Sequence, residues 1–333
     1  MSTSSAKLSA FIHKKMTMWV ICLILLMSLA FNCLVNENSG YAVGNNSLTR
    51  AVNEANSVNN KCNCIVFRLD DVQDYWLNSV QSAVMDLFIS KDRDLSLGLI
   101  MHLVGNDTKV VDKIKTGLGK GLFELDVHGW DHINYTKVSQ NEQRKSLYNA
   151  SMKMEKIFGV NPIVFIPPFD TFNNDTISAM KKLGMNIISA GLPEESRYDQ
   201  NRSIFNANHA GVNSRNKILS QKLLDNENKK DMNITTASVV YHLPGTIFFK
   251  DFQKGKWIKT PVDEIVSNSS RNIAKYGYAI VVLHPQDFAN TTNGTTVPTN
   301  SVNKTETTDL SRLMDKFLSK NVKIMPFHKV TRF

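Results

Sequence analysis

The chain has 333 residues, 42% hydrophobic and 21% charged, with a formal net charge of +9. These values fit a globular protein with a core of barrel size. Cys22 and Cys33 lie in an apolar segment, which leaves Cys62 and Cys64. Two thiols are too few for a disulfide scaffold or a four-thiolate zinc site, and at that spacing they pair only with strain. The positive charge forms no Lys/Arg block and no stacking platform accompanies it, which argues against nucleic acid as a partner. A basic surface still suits anionic glycans or a membrane surface.

Lys7, His13, Lys14 and Lys15 precede an uncharged stretch, MTMWVICLILLMSLAFNCLV, over Met16 to Val35. It is about long enough to span a bilayer as a helix, and the basic residues before it place the rest of the chain outside. Small residues at Ser28 to Ala30 suit signal cleavage equally well. Residues 1–35 are therefore expected to be a signal peptide or membrane anchor. Residues 36–61 are polar and Asn-rich and read as a linker, and 62–333 as a single globular body. N-x-S/T sequons begin at Asn45, Asn106, Asn134, Asn149, Asn174, Asn201, Asn233, Asn268, Asn290, Asn293 and Asn303. Beside an export signal they favour an extracytoplasmic, glycosylated body.

From Cys64 onward short apolar runs alternate with helical patterns. CIVFRL, LSLGLIM, LFELDV, IVFI, NIISA, SVVYHL, AIVVLH and VKIMPF read as strands. Helical periodicity falls at 76–90, 139–158, 175–183, 262–276 and 308–319, and the polar stretch 289–308 reads as a surface loop. This alternation predicts an α/β barrel of seven or eight parallel strands with right-handed crossovers. Such barrels carry their chemistry at the C-terminal strand ends. Asp70 and Asp71 end the first strand, His128 the third and His284 the seventh, and PPF follows the fourth.

His128 and His132 are four residues apart, a spacing that on a helical turn puts two imidazoles on one face. Two such nitrogens and one carboxylate can hold a divalent ion and leave positions open. The adjacent aspartates can equally cap the next helix, and His284 can be an ordinary strand-end histidine. Glu124 and Asp126 alternate with His128, so they either orient a ligand or pair with a cation inside the barrel. Trp130 either stacks on a sugar or packs. Pro168, Phe169, Thr171, Phe172 and Asn173 follow a strand end and can line a substrate groove. His209 and His242 carry no clear signal.

RLDDV, HGWDH, FIPPF and VVLHP, in that order, resemble the polysaccharide deacetylase family (NodB-homology, carbohydrate esterase family 4) over roughly residues 62–333. The resemblance implies a distorted (β/α) barrel and metal-dependent hydrolysis of N-acetyl groups on a cell-surface or extracellular glycan. It implies Asp71, His128 and His132 as metal ligands, with zinc the first choice and cobalt or manganese possible. It implies Asp70 as general base and His284 as general acid. The rival readings are a related barrel hydrolase on another amide or ester, and a carbohydrate-binding surface protein without turnover. Two departures stand out. Gly129 follows the first histidine where the family often has Ser or Thr, and Ile166 stands where an arginine usually precedes the prolines. Both resemble a divergent prokaryotic branch. Strand alternation puts Arg68 on the same face as Asp70, so Arg68 is expected to supply the missing guanidinium, or else to pair with Glu124 or Asp126.

Overall fold

The computed structural model describes residues 62–191, 217–218, 239–253, 256–292 and 296–332. The chain divides into two units, Met1–Asn56 and Ser57–Phe333, and every described residue belongs to the second. The expected apolar segment 1–35, the linker 36–61, His209 and the sequons at Asn45, Asn201, Asn233 and Asn293 lie outside the described residues. No helix among the described residues is long and apolar enough to cross a membrane.

The strands of the main sheet are β1 (Cys64–Val72), β2 (Leu95–Leu99), β3 (Phe123–Val127), β4 (Val164–Phe165), β5 (Ile187–Ser189), β6 (Lys217–Ile218), β7 (Val240–Leu243), β8 (Thr246–Phe248), β11 (Tyr278–Leu283) and β14 (Lys323–Ile324). Two hairpins stand outside it: β9 (Lys250–Gln253) with β10 (Lys256–Lys259), and β12 (Ala289–Thr291) with β13 (Pro298–Val302). The helices are α1 (Asn78–Ser90), α2 (Thr108–Gly119), α3 (Gln140–Phe158), α4 (Asn174–Lys182), α5 (Val262–Tyr276), α6 (Lys304–Ser319) and the short α7 (Phe327–Val330).

The main sheet runs β6-β7-β5-β4-β3-β2-β1-β11-β8, with β14 also paired to β1, and the strands from β7 to β8 along this path are parallel. Only Pro244 and Gly245 separate β7 from β8, yet the two lie near opposite ends of the order. Two residues cannot cross a flat sheet of that width, since each reaches at most about 3.6 Å. The sheet must therefore curl until its edges meet, and the fold is the expected distorted (β/α) barrel of eight parallel strands. β1 is buried along almost its whole length, as a strand covered on both sides must be.

Helix boundaries follow capping chemistry. Ser139 and Glu142 form a capping box on α3, which ends at Gly159 with φ 69°. Asn303 accepts from Thr305 N and Glu306 N and so starts α6 at Lys304, four residues before the periodicity predicts. The expected loop 289–308 is thus a hairpin followed by the first turn of a helix. Asn300 acts likewise on another helix, accepting from Ser79 N in the first turn of α1. α2 falls where no helix is expected. Its two glycines weaken the helical pattern, but a Cβ on Gly117 would sit 2.1 Å from the Phe123 ring, so close packing on β3 requires glycine there. VKIMPF supplies only the two residues of β14 before α7 begins.

Candidate active site at the barrel rim

The site is assembled where β1, β3, β4, β5, β8 and β11 end. Asp70 and Asp71 are adjacent, and an unbroken strand would send them to opposite faces. Asp71 instead adopts φ 59°, and the β1–β2 register shifts between Leu69 and Val72. This bulge turns both carboxylates toward the same cleft. They cap no helix, since α1 begins seven residues later. Gly98 of β2 makes the room, because a Cβ there would lie 3.0 Å from Asp70 Oδ1 and 3.3 Å from Ile166 Cδ1.

His128 and His132 do not share a helical turn. They lie on a loop after β3, bent back at Gly129 with φ 85°. A Cβ on Gly129 would meet the Asp131 carbonyl oxygen at 2.8 Å, so a Ser or Thr at this position would break this loop. The loop is tied down by Met101 N to Gly129 O, His102 N to Trp130 O, and Ser146 Oγ accepting from Trp130 N. The imidazole centroids come to 5.1 Å, and both Nε2 atoms stand 3.3 Å from Asp71 Oδ1.

One nitrogen from each histidine and one Asp71 oxygen lie within 4.8 Å of one another. His128 Nδ1 is 2.8 Å from the Ile166 carbonyl oxygen. That contact assigns the proton to Nδ1 and leaves the Nε2 lone pair facing Asp71. The donor set and tautomer suit a divalent ion such as zinc, cobalt or manganese.

Burial works to raise the Asp71 carboxyl, but His128 and the charges of His284, His128 and His132 outweigh it and hold the group below the usual carboxylate range. Burial works to lower His128, and its contact with Asp71 together with the charges of Asp70 and Asp71 raises it instead. His132 is lowered by burial and by the charge of His128.

Arg68 is 2% exposed and organises the opposite wall. Its Nε and Nη2 donate to Asp70 Oδ2 at 3.1 and 2.7 Å, Nη2 also reaches Asp170 Oδ1 at 3.3 Å, and Nη1 donates to Ser189 O and Oγ at 3.2 and 3.0 Å. The expected pairing with Asp70 is present, and no hydrogen bond joins Arg68 to Glu124 or Asp126. Asp70 Oδ1 has no hydrogen-bond partner among the described residues. His284, after β11, stands at the other side of the cleft. Its Nδ1 lies 3.7 Å from Asp287 Oδ2, and its own N–H donates to that oxygen at 2.8 Å. Burial works to lower His284, but the fully buried Asp287 and then Asp71 and Asp70 raise it to about 9.

The cleft has a volume of about 190 Å³. Beyond the residues above, Pro167, Phe169, Phe248, Asp251, Trp257 and Gln286 line it. Phe169 (φ 61°) and Asp170 (φ 53°) form a left-handed turn that sets the Phe169 ring 4.6 Å from His132. Backbone strain of this kind clusters at functional sites.

Other expected site residues lie elsewhere, among them Thr171 and Phe172, which are buried and do not line the cleft. Glu124 sits at the other end of the barrel, where it accepts from Ser96 Oγ, Phe327 N, His328 N and His328 Nδ1 and caps α7. Trp130 stacks on His102 with centroids 5.1 Å apart and lies under Lys153, outside the cleft. Pro168 is buried beside Pro167, and Asn173 is the N-cap of α4. His242 is buried against Ala190 O and Phe172.

Asp170, Ser189, Phe248, Asp251, Trp257 and Asp287 were not legible as site residues. Asp287 carried a usable signal, since its position three residues after His284 is that of a reciprocal cap. Gly98 in mid-strand likewise signals a close approach.

Residues 57–188 match the family model for polysaccharide deacetylase. Among solved structures, a putative polysaccharide deacetylase from Mycobacterium smegmatis gives a TM-score of 0.52 at 12% identity, covering 82% of this chain and 91% of that one. This likeness supports the fold. A CE4 family pseudoenzyme from Bacillus anthracis gives 0.48 at 14% identity, covering 81% of this chain and 66% of that one, so this chain spans just under two thirds of its length. A family 4 acetyl xylan esterase from Clostridium thermocellum, in complex with a cobalt ion, gives 0.46 at 13% identity, covering 80% and 89%. A comparison with curated proteins gave no match. The segment 57–188, which carries RLDDV, HGWDH and FIPPF, thus matches the polysaccharide deacetylase family, a family of deacetylase hydrolases.

Proposed function

We propose that this protein is a metal-dependent hydrolase that removes N-acetyl groups from a cell-surface or extracellular glycan. The observation that carries this reading is the convergence of Asp71, His128 and His132 beside an aspartate, Asp70, with one oxygen unpartnered. Asp71, His128 and His132 are the residues that would hold the ion, with zinc as first choice. A divalent ion at such a site polarises the amide carbonyl and lowers the pKa of water.

Asp70 is the base. Arg68 fixes its Oδ2 with two donors, and Oδ1 takes the proton from the attacking water. His284 is the acid. It is protonated at neutral pH, and it gives its proton to the amine nitrogen as the carbon–nitrogen bond breaks, leaving acetate and a free amino sugar. Arg68 thereby does from β1 what Ile166 cannot do from the end of β4.

An extracytoplasmic location is part of the same reading. It is supported by the apolar N-terminal segment, anchor or signal, and by the Cys62–Cys64 disulfide, a bond that persists in oxidising compartments. The sequons weigh less. Asn134 and Asn303 use their side-chain oxygens to cap Thr136 N and Thr305 N, so part of the Asn-x-Thr pattern is helix chemistry.

The test is metal analysis of the purified protein together with acetate release from N-acetylated oligosaccharides. One divalent ion per chain and released acetate are expected. Asp70→Asn should keep the ion and lose roughly two or more orders of magnitude in rate. An Asp70→Asn protein with an undiminished rate would remove Asp70 from the role of base.

A further inference from the structure

The β9–β10 hairpin brings Asp251 and Trp257 to the wall of the cleft, with the Trp257 ring 5.8 Å from that of His284. Its base is built from two like charges. Lys250 and Lys259 are directly paired across the hairpin, so their side chains project from the same face. Facing lysines repel at a Cβ separation of about 5 Å and would open the hairpin at the point where it leaves the barrel.

Glu306, in the first turn of α6 and 8% exposed, answers both charges. Its Oε1 is 3.2 Å from Lys250 Nζ and its Oε2 is 2.6 Å from Lys259 Nζ. Lys259 also pairs with Asp309, which Arg312 holds at 3.0 Å. Thr260, just after the hairpin, donates Oγ1 to Phe248 O at 2.9 Å and its N–H to Phe249 O at 3.0 Å, so the hairpin's exit is tied to β8.

We propose that Glu306 is a positioning residue. By bridging Lys250 and Lys259 it holds the hairpin closed and sets Trp257 and Asp251 against the bound glycan, so it governs substrate affinity and takes no part in the chemical step. This rests on the deacetylase reading above, and the test separates the two.

Glu306→Gln keeps the size of the side chain, leaves Lys250 without its carboxylate and leaves Lys259 with Asp309 alone. It should raise KM for an N-acetylated chito-oligosaccharide about fivefold and leave kcat within about twofold. It should also speed tryptic cleavage after Lys259 relative to cleavage elsewhere, because the hairpin opens locally. Adding Lys250→Gln to Glu306→Gln removes the repulsion, and KM and the cleavage rate should both return most of the way. A Glu306→Gln protein with wild-type KM and wild-type cleavage would overturn the proposal. So would a double variant no better than the single one, which would make Glu306 a general support for α6. If the wild-type protein releases no acetate, the deacetylase reading fails, while the proteolysis and its rescue still decide whether Glu306 closes the hairpin.

Discussion

At the base of the barrel, Glu124 has both oxygens fully engaged, by Ser96, by two backbone N–H groups of α7 and by the His328 ring. At the rim, about two turns of the pleat further along the same strands, Asp70 Oδ1, Asp71 Oδ1 and His284 Nδ1 are buried without a hydrogen-bond partner among the described residues. The rim also holds Asp71, Phe169 and Asp170 in left-handed backbone. Both ends gather acids, histidines and buried backbone. They differ in whether the polar atoms are satisfied by the protein itself. A buried polar atom left open costs about 1–3 kcal/mol, so a fold retains several together only where something else is to be bound. The base is a cap, and the rim is a site.

The largest effect that can break this contrast is at the proposed ion ligands. His128→Ala combined with His132→Ala should abolish stoichiometric binding of zinc and release of acetate while far-ultraviolet circular dichroism stays that of the folded barrel. Retention of one ion per chain in this variant would show that the three converging groups are not the ligands.

Arg68→Met comes next and should affect both stability and rate. It leaves Asp70 and Asp170 buried without their shared cation, at a cost of about 3–5 kcal/mol in chemical denaturation. The rate should fall while metal content is unchanged. A variant as stable and as fast as the wild type would mean that the guanidinium neither supports the rim nor holds the base.

Asp287→Asn probes the acid. The Asp287 charge raises His284, against burial, to about 9. The histidine must be protonated to donate, so the rate falls as pH rises through that value. Without the charge, burial is less opposed and the alkaline limb of kcat should move to lower pH by about one unit or more. An unmoved limb would assign it to another group.

The smallest effect on activity is expected at the base. Glu124→Gln weakens four hydrogen bonds to a carboxylate and should destabilise the fold by about 1–3 kcal/mol, read as a lower denaturation midpoint. Metal content and kcat should not change. A loss of turnover in the folded variant would erase the distinction between the two ends.

Asp126 belongs to neither end. It is fully buried on β3 with no hydrogen bond to either oxygen among the described residues, and burial followed by the charges of Glu124 and Asp70 raises its pKa well above the usual range. Burial in this setting favours its neutral form.

The alternation of apolar runs with helical stripes determined the barrel, because periodicity of two and of 3.6 residues is written locally and survives in any tertiary context. The same periodicity placed Asp70, Asp71, His128 and His284 at one rim, since parallel strands align their C-terminal ends. It also put Arg68 on the face of Asp70. What only the tertiary structure decided depends on atoms distant in the chain. Asp71 turns toward the cleft through a bulge that β2 permits, and His132 swings back through a loop that only Gly129 allows. Asp170 enters the site because Arg68 reaches it across 102 residues, and Trp257 enters on a hairpin whose charged base is quieted by a helix that starts almost fifty residues later. Glu124 alternates with His128 as the pattern requires, yet it works at the opposite end, because alternation specifies the face of a strand and leaves the height along the barrel to the packing of α7.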